Sequence, residues 1–193
     1  MTRTRATVGL VALAAAAVVL IVGVGGGQAG HRHASEGFAW LHAAPPPADW
    51  TLARTERGGT FAYPPAWKPI KTDPGTASVA LLGPGGRIDA YLNATPKQGK
   101  ETLANWSRFR PAHNRDEGDS NVRVIASATD LKFRGGRGSC VIDTYTTSKA
   151  NYHEIACLVA GRTSTAVIVA AAPVELWDDQ AATLRRAVSS FEN

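Results

Sequence analysis

The chain has 193 residues, of which 44% are hydrophobic and 19% charged, with a formal net charge of +5. That balance excludes an intrinsically disordered chain, and the basic residues lie scattered among acids, so a nucleic-acid partner is not expected. Only two cysteines are present, and the length accommodates one ordinary domain plus an N-terminal extension.

Arg3 and Arg5 open the chain, and no charged residue follows between Ala6 and Gly27, with Val8 to Val24 strongly apolar. A cleaved signal peptide has an apolar core of ~7–15 residues, whereas a membrane span needs ~17–25. Residues 1–29 are therefore expected to form an uncleaved signal anchor, one hydrophobic helix. The alternative is secretion after cleavage before Gly30. Both place the rest of the chain outside the cytoplasm, because the two arginines stay inside. Residues 30–49 read as a Pro/Ala/Gly-rich linker. Its run Pro45-Pro46-Pro47 is stiff and extended, a spacer that holds a domain of residues 50–193 off the membrane.

The domain begins with a strand over 59–63, stopped by Pro64-Pro65. A second strand over 78–82 ends at Gly83-Pro84-Gly85-Gly86, and its partner over 87–93 alternates Ile88, Ala90 and Leu92 with Asp89, Tyr91 and Asn93. Leu103, Trp106 and Phe109 recur at helical spacing, predicting a helix over 101–110 that Pro111 ends. A polar loop over 113–120 leads to strands over 122–128 and 130–138, the latter closing in a tight turn at Gly135-Gly136. Three stronger strand signals follow, over 139–147, 152–160 and 163–171, joined by loops short enough to require antiparallel hairpins. Pro173 then opens a helix whose Trp177, Ala181, Leu184, Val188 and Phe191 form one apolar stripe. The fold class is α+β, a central antiparallel sheet of about seven strands with two helices.

The hairpin of 139–147 with 152–160 has a readable register. Pairing Cys140 with Cys157 also pairs Ile142 with Ile155 and Tyr145 with Tyr152, so that cysteine and isoleucine share one face and the tyrosines the other. A one-residue slip destroys every match. Opposed strand residues lie close enough for a disulfide, and outside the cytoplasm the two cysteines are expected to form one. The same register sets Asp143 opposite Glu154. Two adjacent carboxylates can serve as an acid–base pair or a cation site. On a hairpin read as facing solvent, the expectation is an exposed pair with no such role.

Phe61-x-Tyr63-Pro64-x-x-Trp67 resembles the opening of PsbP-like proteins and of related actinobacterial LpqN-type envelope lipoproteins. The strand order and the terminal helix ending in Ser189-Ser190-Phe191 are similar too, so that the likeness spans 60–193. It implies a central antiparallel sheet sandwiched by helices and a non-catalytic accessory or adaptor role. The chain lacks the lipidated cysteine of the lipoproteins, so its anchoring differs from theirs.

Phe61, Tyr63, Trp67 and Trp106 are the candidate groove for a ligand or partner, against the simpler reading of Phe61, Tyr63 and Trp67 as a packed aromatic corner. His31, His33 and His42 lie in the linker without fixed geometry, so no metal site is expected. Ser139 stands in no nucleophile elbow, and no phosphate loop or dinucleotide fingerprint implies a cofactor. Lys132, Arg134 and Arg137 ring a turn and could meet phosphate or carboxylate groups, although a solvated turn is the simpler reading. The function expected is a non-catalytic module in the cell membrane that binds an envelope protein or polymer. One alternative is a carrier or receptor for a small apolar ligand, which a pocket of ~300 Å³ or more beside Trp67 or Trp106 would support. The other is a hydrolase, which needs a nucleophile and base within hydrogen-bond reach.

Overall fold

The computed structural model describes residues 37–193, so the signal anchor expected over 1–29, together with His31 and His33, lies outside the described residues. Nine strands form two sheets. β1 (Thr51–Arg54) and β2 (Thr60–Tyr63) make a two-stranded hairpin. The other seven form one antiparallel sheet in the order β3-β4-β5-β9-β8-β7-β6. They are β3 (Lys68–Pro69), β4 (Ala77–Leu82), β5 (Ile88–Pro96), β6 (Ser120–Phe133), β7 (Gly136–Thr146), β8 (Asn151–Ala160) and β9 (Thr165–Pro173). Two helices complete the domain, α1 (Trp106–Asp116) and α2 (Trp177–Ser189).

Side chains alternate across the central strands, but both faces are covered, so β7, β8 and β9 are buried almost without interruption. One face carries Leu92, Ile142, Ile155 and Ile168, packed against Leu184, Val188 and Phe191 from α2 and its end and against Phe61 of the β1–β2 hairpin. The stripe predicted for the last helix is the surface that docks. Leu184 is fully buried, and burial of such a side chain is worth about 1.5–3 kcal/mol. The opposite face carries Val141, Ala156, Leu158, Val167 and Val169 beneath Trp106 of α1.

The β7–β8 register pairs Cys140 with Cys157, Ile142 with Ile155, Tyr145 with Tyr152 and Asp143 with Glu154, and the two cysteines are joined in a disulfide. The bridge lies on the α2 face, in the same core as the two isoleucines.

Several boundaries differ from the sequence reading. The first helix runs from 106 to 116 rather than 101 to 110, and Pro111 sits inside it, buried. A proline there removes one backbone hydrogen bond, but Arg110 and Asn114 on either side hold the helix to the sheet. The strands expected at 122–128 and 130–138 are one strand to Phe133, because irregularities in register, including one between Ala128 and Leu131, absorb the left-handed Asp130 (φ 61°) without ending the pairing. The turn falls at Arg134-Gly135, and β7 starts at Gly136. A single 3-10 turn, Val174–Leu176, separates Pro173 from α2. Within the linker range, Phe38 is buried in the α2-side core, with Trp40 and Leu41 half-buried against it, so the segment packs on the domain from there.

Candidate functional site

α1 carries a stripe at positions 106, 110 and 114, four residues apart and therefore on one face, and all three side chains bond to the sheet. Trp106 Nε1 donates to the Ala156 carbonyl at 2.9 Å. Arg110 donates from Nε to Glu154 Oε1 and from Nη2 to Glu154 Oε2, both at 2.7 Å. Asn114 Nδ2 reaches Asp143 Oδ2 at 3.5 Å. Tyr145 donates its hydroxyl to Glu154 Oε2 at 3.0 Å, and the Tyr91 hydroxyl lies 3.1 Å from that of Tyr145.

Asp143 and Glu154 are therefore not the exposed pair expected; each is 0% exposed. α1 closes over them. One guanidinium cannot neutralise two carboxylates, and the geometry gives Arg110 to Glu154. Burial, and then the charge of Glu154, push Asp143 up to about 7, so it holds a proton through much of the acidic range. Its Oδ1 has no partner among the described residues. Burial also raises Tyr145, with the Glu154 charge adding to it, so the phenol stays a donor. For Arg110, burial acts downward but the Glu154 charge and hydrogen bonds prevail, and the guanidinium stays charged.

Beside this network α1 leaves part of the sheet uncovered, and a cleft of about 490 Å³ opens there. Its wall is Trp106, Phe109 and His113 of α1, with Phe109 stacked on both neighbours. Its floor is Tyr91, Asn93 and Thr95 of β5 with Val167 and Val169 of β9, and Gln98, Gly99 and Glu101 line it as well. Arg110 also lines it, and its Nη1 has no partner among the described residues. Glu101 is buried, its Oε1 accepting from the backbone N–H groups of Gln98 and Gly99 at 2.9 and 3.2 Å. Burial acts to raise this carboxyl, but the backbone N–H groups around it outweigh that, and it is held below the usual carboxylate range.

The four candidate groove aromatics are divided by the sheet. Phe61, Tyr63 and Trp67 are buried on the α2 face, at 0%, 7% and 3% exposure. Trp106 alone belongs to the α1 face, where it walls the cleft. Arg110, Asn114, Tyr91 and Tyr145 were missed. The usable signal was Arg110 and Asn114 continuing the helical spacing of Trp106 past the proline, opposite two carboxylates already paired by register.

Other reactive groups are committed elsewhere. Ser139 Oγ donates to the Leu103 carbonyl at 2.7 Å. His153 stacks on Trp177 with ring centroids 3.8 Å apart; burial, then the Arg185 charge, lower it to about 4. Arg134 pairs with Glu192 and Arg137 with Asp130. Among the described residues no three His, Cys, Asp or Glu side chains are grouped to hold a metal.

No family model matches the sequence, and no curated protein matches it either. Solved structures do match. The solution structure of cyanobacterial PsbP from Synechocystis sp. PCC 6803 superposes with a TM-score of 0.56 at 17% identity, covering 76% of this chain and 93% of that one. LpqN of Mycobacterium tuberculosis, described as involved in cell envelope biogenesis, aligns at a TM-score of 0.39 and 16% identity, covering 77% and 80% of the two chains. The domain has the PsbP-like fold, a seven-stranded antiparallel sheet between helices.

Proposed function

We propose that this chain is an exported, non-catalytic module, held at the cell membrane by its N-terminal segment, and that it works by binding an envelope protein or polymer in the cleft beside α1. The cleft is the observation that carries the reading. At about 490 Å³ it falls within the range of ~300–1,000 Å³ usual for ligand sites. Aromatic and valine faces line it together with Arg110, Asn93 and Gln98, which suits an occupant with apolar faces and polar edges. A purely apolar occupant would strip water from those polar groups and return no hydrogen bonds. The apolar-carrier reading nevertheless has the Val167 and Val169 floor in its favour.

The non-catalytic reading is supported by how the acid–base candidates are used. Glu154 is saturated by Arg110 and Tyr145, and Ser139 bonds to backbone. The export reading is supported by the Cys140–Cys157 bridge, since disulfides persist in oxidising compartments. A reporter fused after Asn193 should be active only as an external marker, and cytoplasmic reporter activity overturns the location.

Function is tested by placing a photo-crosslinking residue at Phe109, in the cleft, and separately at exposed Val174 as control. A discrete adduct at 109 and none at 174 supports the reading. Equal labelling at both, or none at 109, overturns it. Saturable binding of anilinonaphthalene sulfonate that Val169→Trp abolishes, without any adduct at 109, favours the apolar carrier instead.

A further inference from the structure

Antiparallel connectivity gathers the β1–β2 loop, the residues after β5, the β6–β7 turn and the β8–β9 turn at one end of the sheet. Two recesses lie there, of about 490 and 410 Å³, and meet at Thr163. Arg54, Arg134 and Arg162 line the first; Arg57 and Lys97 line the second. Arg54, Arg57 and Arg162 are exposed and have no carboxylate partner among the described residues. Only Arg134 is paired, with Glu192 at 2.9 Å, and that pair is itself partly exposed. The opposite end is mixed in charge: Asp116 ends α1, Glu117 and Asp119 lie between α1 and β6, and Glu175 lies between β9 and α2, together with Arg87, Arg115 and Lys149.

We infer that this basic end is a binding groove for a linear polyanion, a chain bearing repeated phosphate groups. A single ion would need its cations converged on one point, whereas these five are distributed over two adjoining recesses. A chain lying across Thr163 can place successive anionic groups in both. Guanidinium groups suit that task because each presents a planar fork of donors to a phosphate oxygen pair. The Thr165 hydroxyl stands among the cations as a further donor, whereas those of Thr60 and Ser164 already donate to the Gly58 carbonyl and to Asn193 Oδ1. A bilayer surface is disfavoured because the arginines line concave walls, where a flat sheet of headgroups makes few contacts.

The test uses the full chain in neutral detergent and measures its affinity for linear inorganic polyphosphate by titration calorimetry over a range of salt concentrations. Saturable binding that weakens with salt is expected, with affinity lost by about tenfold or more in a variant carrying Arg54→Gln, Arg57→Gln and Arg162→Gln, whose salt dependence is also flatter. A second variant, Arg87→Gln with Lys149→Gln at the other end, should bind as the parent does. Unfolding midpoints of both variants should match the parent, since the altered side chains are exposed. The inference is overturned if the triple variant stays within about twofold of the parent. It is overturned equally if orthophosphate competes as well per phosphate as the polymer, which marks a simple ion site. Recruitment to phosphatidylglycerol vesicles that depends on the three arginines, without polyphosphate binding, assigns the surface to the bilayer instead.

Discussion

Replacing Asp143 with asparagine should leave the domain nearly unchanged in acid and make it more stable in base. Asp143 is 0% exposed, faces Glu154 across the β7–β8 pair, and has its carboxyl pushed up to about 7 by burial and by that charge. In the unfolded chain the same group titrates near 3.9. The folded state therefore holds the proton more tightly. The stability that goes with this is fully present below about pH 4 and is lost progressively as pH rises to about 7, at a slope near 1.4 kcal/mol per pH unit. The whole loss is on the order of 4 kcal/mol. Asparagine keeps the shape of the protonated side chain and has nothing to lose, so the stability of Asp143→Asn minus that of the parent should be near zero at pH 4 and climb toward that figure by pH 8. Urea denaturation of parent and variant at matched pH values measures the difference directly and cancels the other carboxylates, including Glu101, whose lowered carboxyl acts in the opposite sense. A difference that stays flat from pH 4 to pH 8 refutes the reasoning. A constant destabilisation would mean instead that an ionised Asp143 is what Asn114 and Arg110 hold.

Arg110→Met removes the only cation on Glu154 among the described residues and leaves a buried, uncompensated carboxylate, so it should cost about 3–5 kcal/mol by chemical denaturation; a cost below about 1 kcal/mol would place the pair among weak surface bridges. Leu184→Ala opens a void under α2 and should cost about 2–5 kcal/mol; an unchanged denaturation midpoint would show that the helix is not docked. The paired substitution Cys140→Ser with Cys157→Ser should lose about 3 kcal/mol in the chain-entropy account, and both cysteines of the folded parent should resist alkylation without reductant, quantitative labelling being the contrary result.

The hairpin register could be read from residues because it rests on exact pairwise matches: cysteine, isoleucine and tyrosine each face their own kind between β7 and β8. The docked face of α2 could be read because its stripe is continuous and apolar. α1 was misread because its attachment is polar. Arg110 and Asn114 look like solvent-facing residues in a one-dimensional pattern, and Pro111 looks like a stop. The same lack of a distance signal made Asp143 and Glu154 look exposed, since alternation on a hairpin cannot tell solvent from a helix arriving from elsewhere in the chain. The β1 strand was missed for a related reason: Thr51–Arg54 is mostly exposed and pairs only with β2. The cleft has no sequence signature, because it arises from what a helix fails to cover.

That failure has a physical origin. The α2 face is covered by a 13-residue helix, by the β1–β2 hairpin and by Phe38 from the segment before it, and these close it into a buried apolar core. The α1 face has only one 11-residue helix, about 16 Å long, to cover a sheet seven strands and roughly 29 Å across. α1 lies toward β6 and β7, leaving the β5 and β9 floor open. So little apolar contact would not fix a proline-bearing helix by itself. The ion pair and the tryptophan N–H bond to the sheet supply directional attachment in its place, at positions 106 and 110. Arg110 thereby belongs to both halves of the design: two of its nitrogens hold α1 to Glu154, and the side chain lines the cleft that α1 leaves behind. An occupant that engages the free Nη1 tightens the same guanidinium that anchors the helix, so binding in the cleft and stability of α1 should rise together.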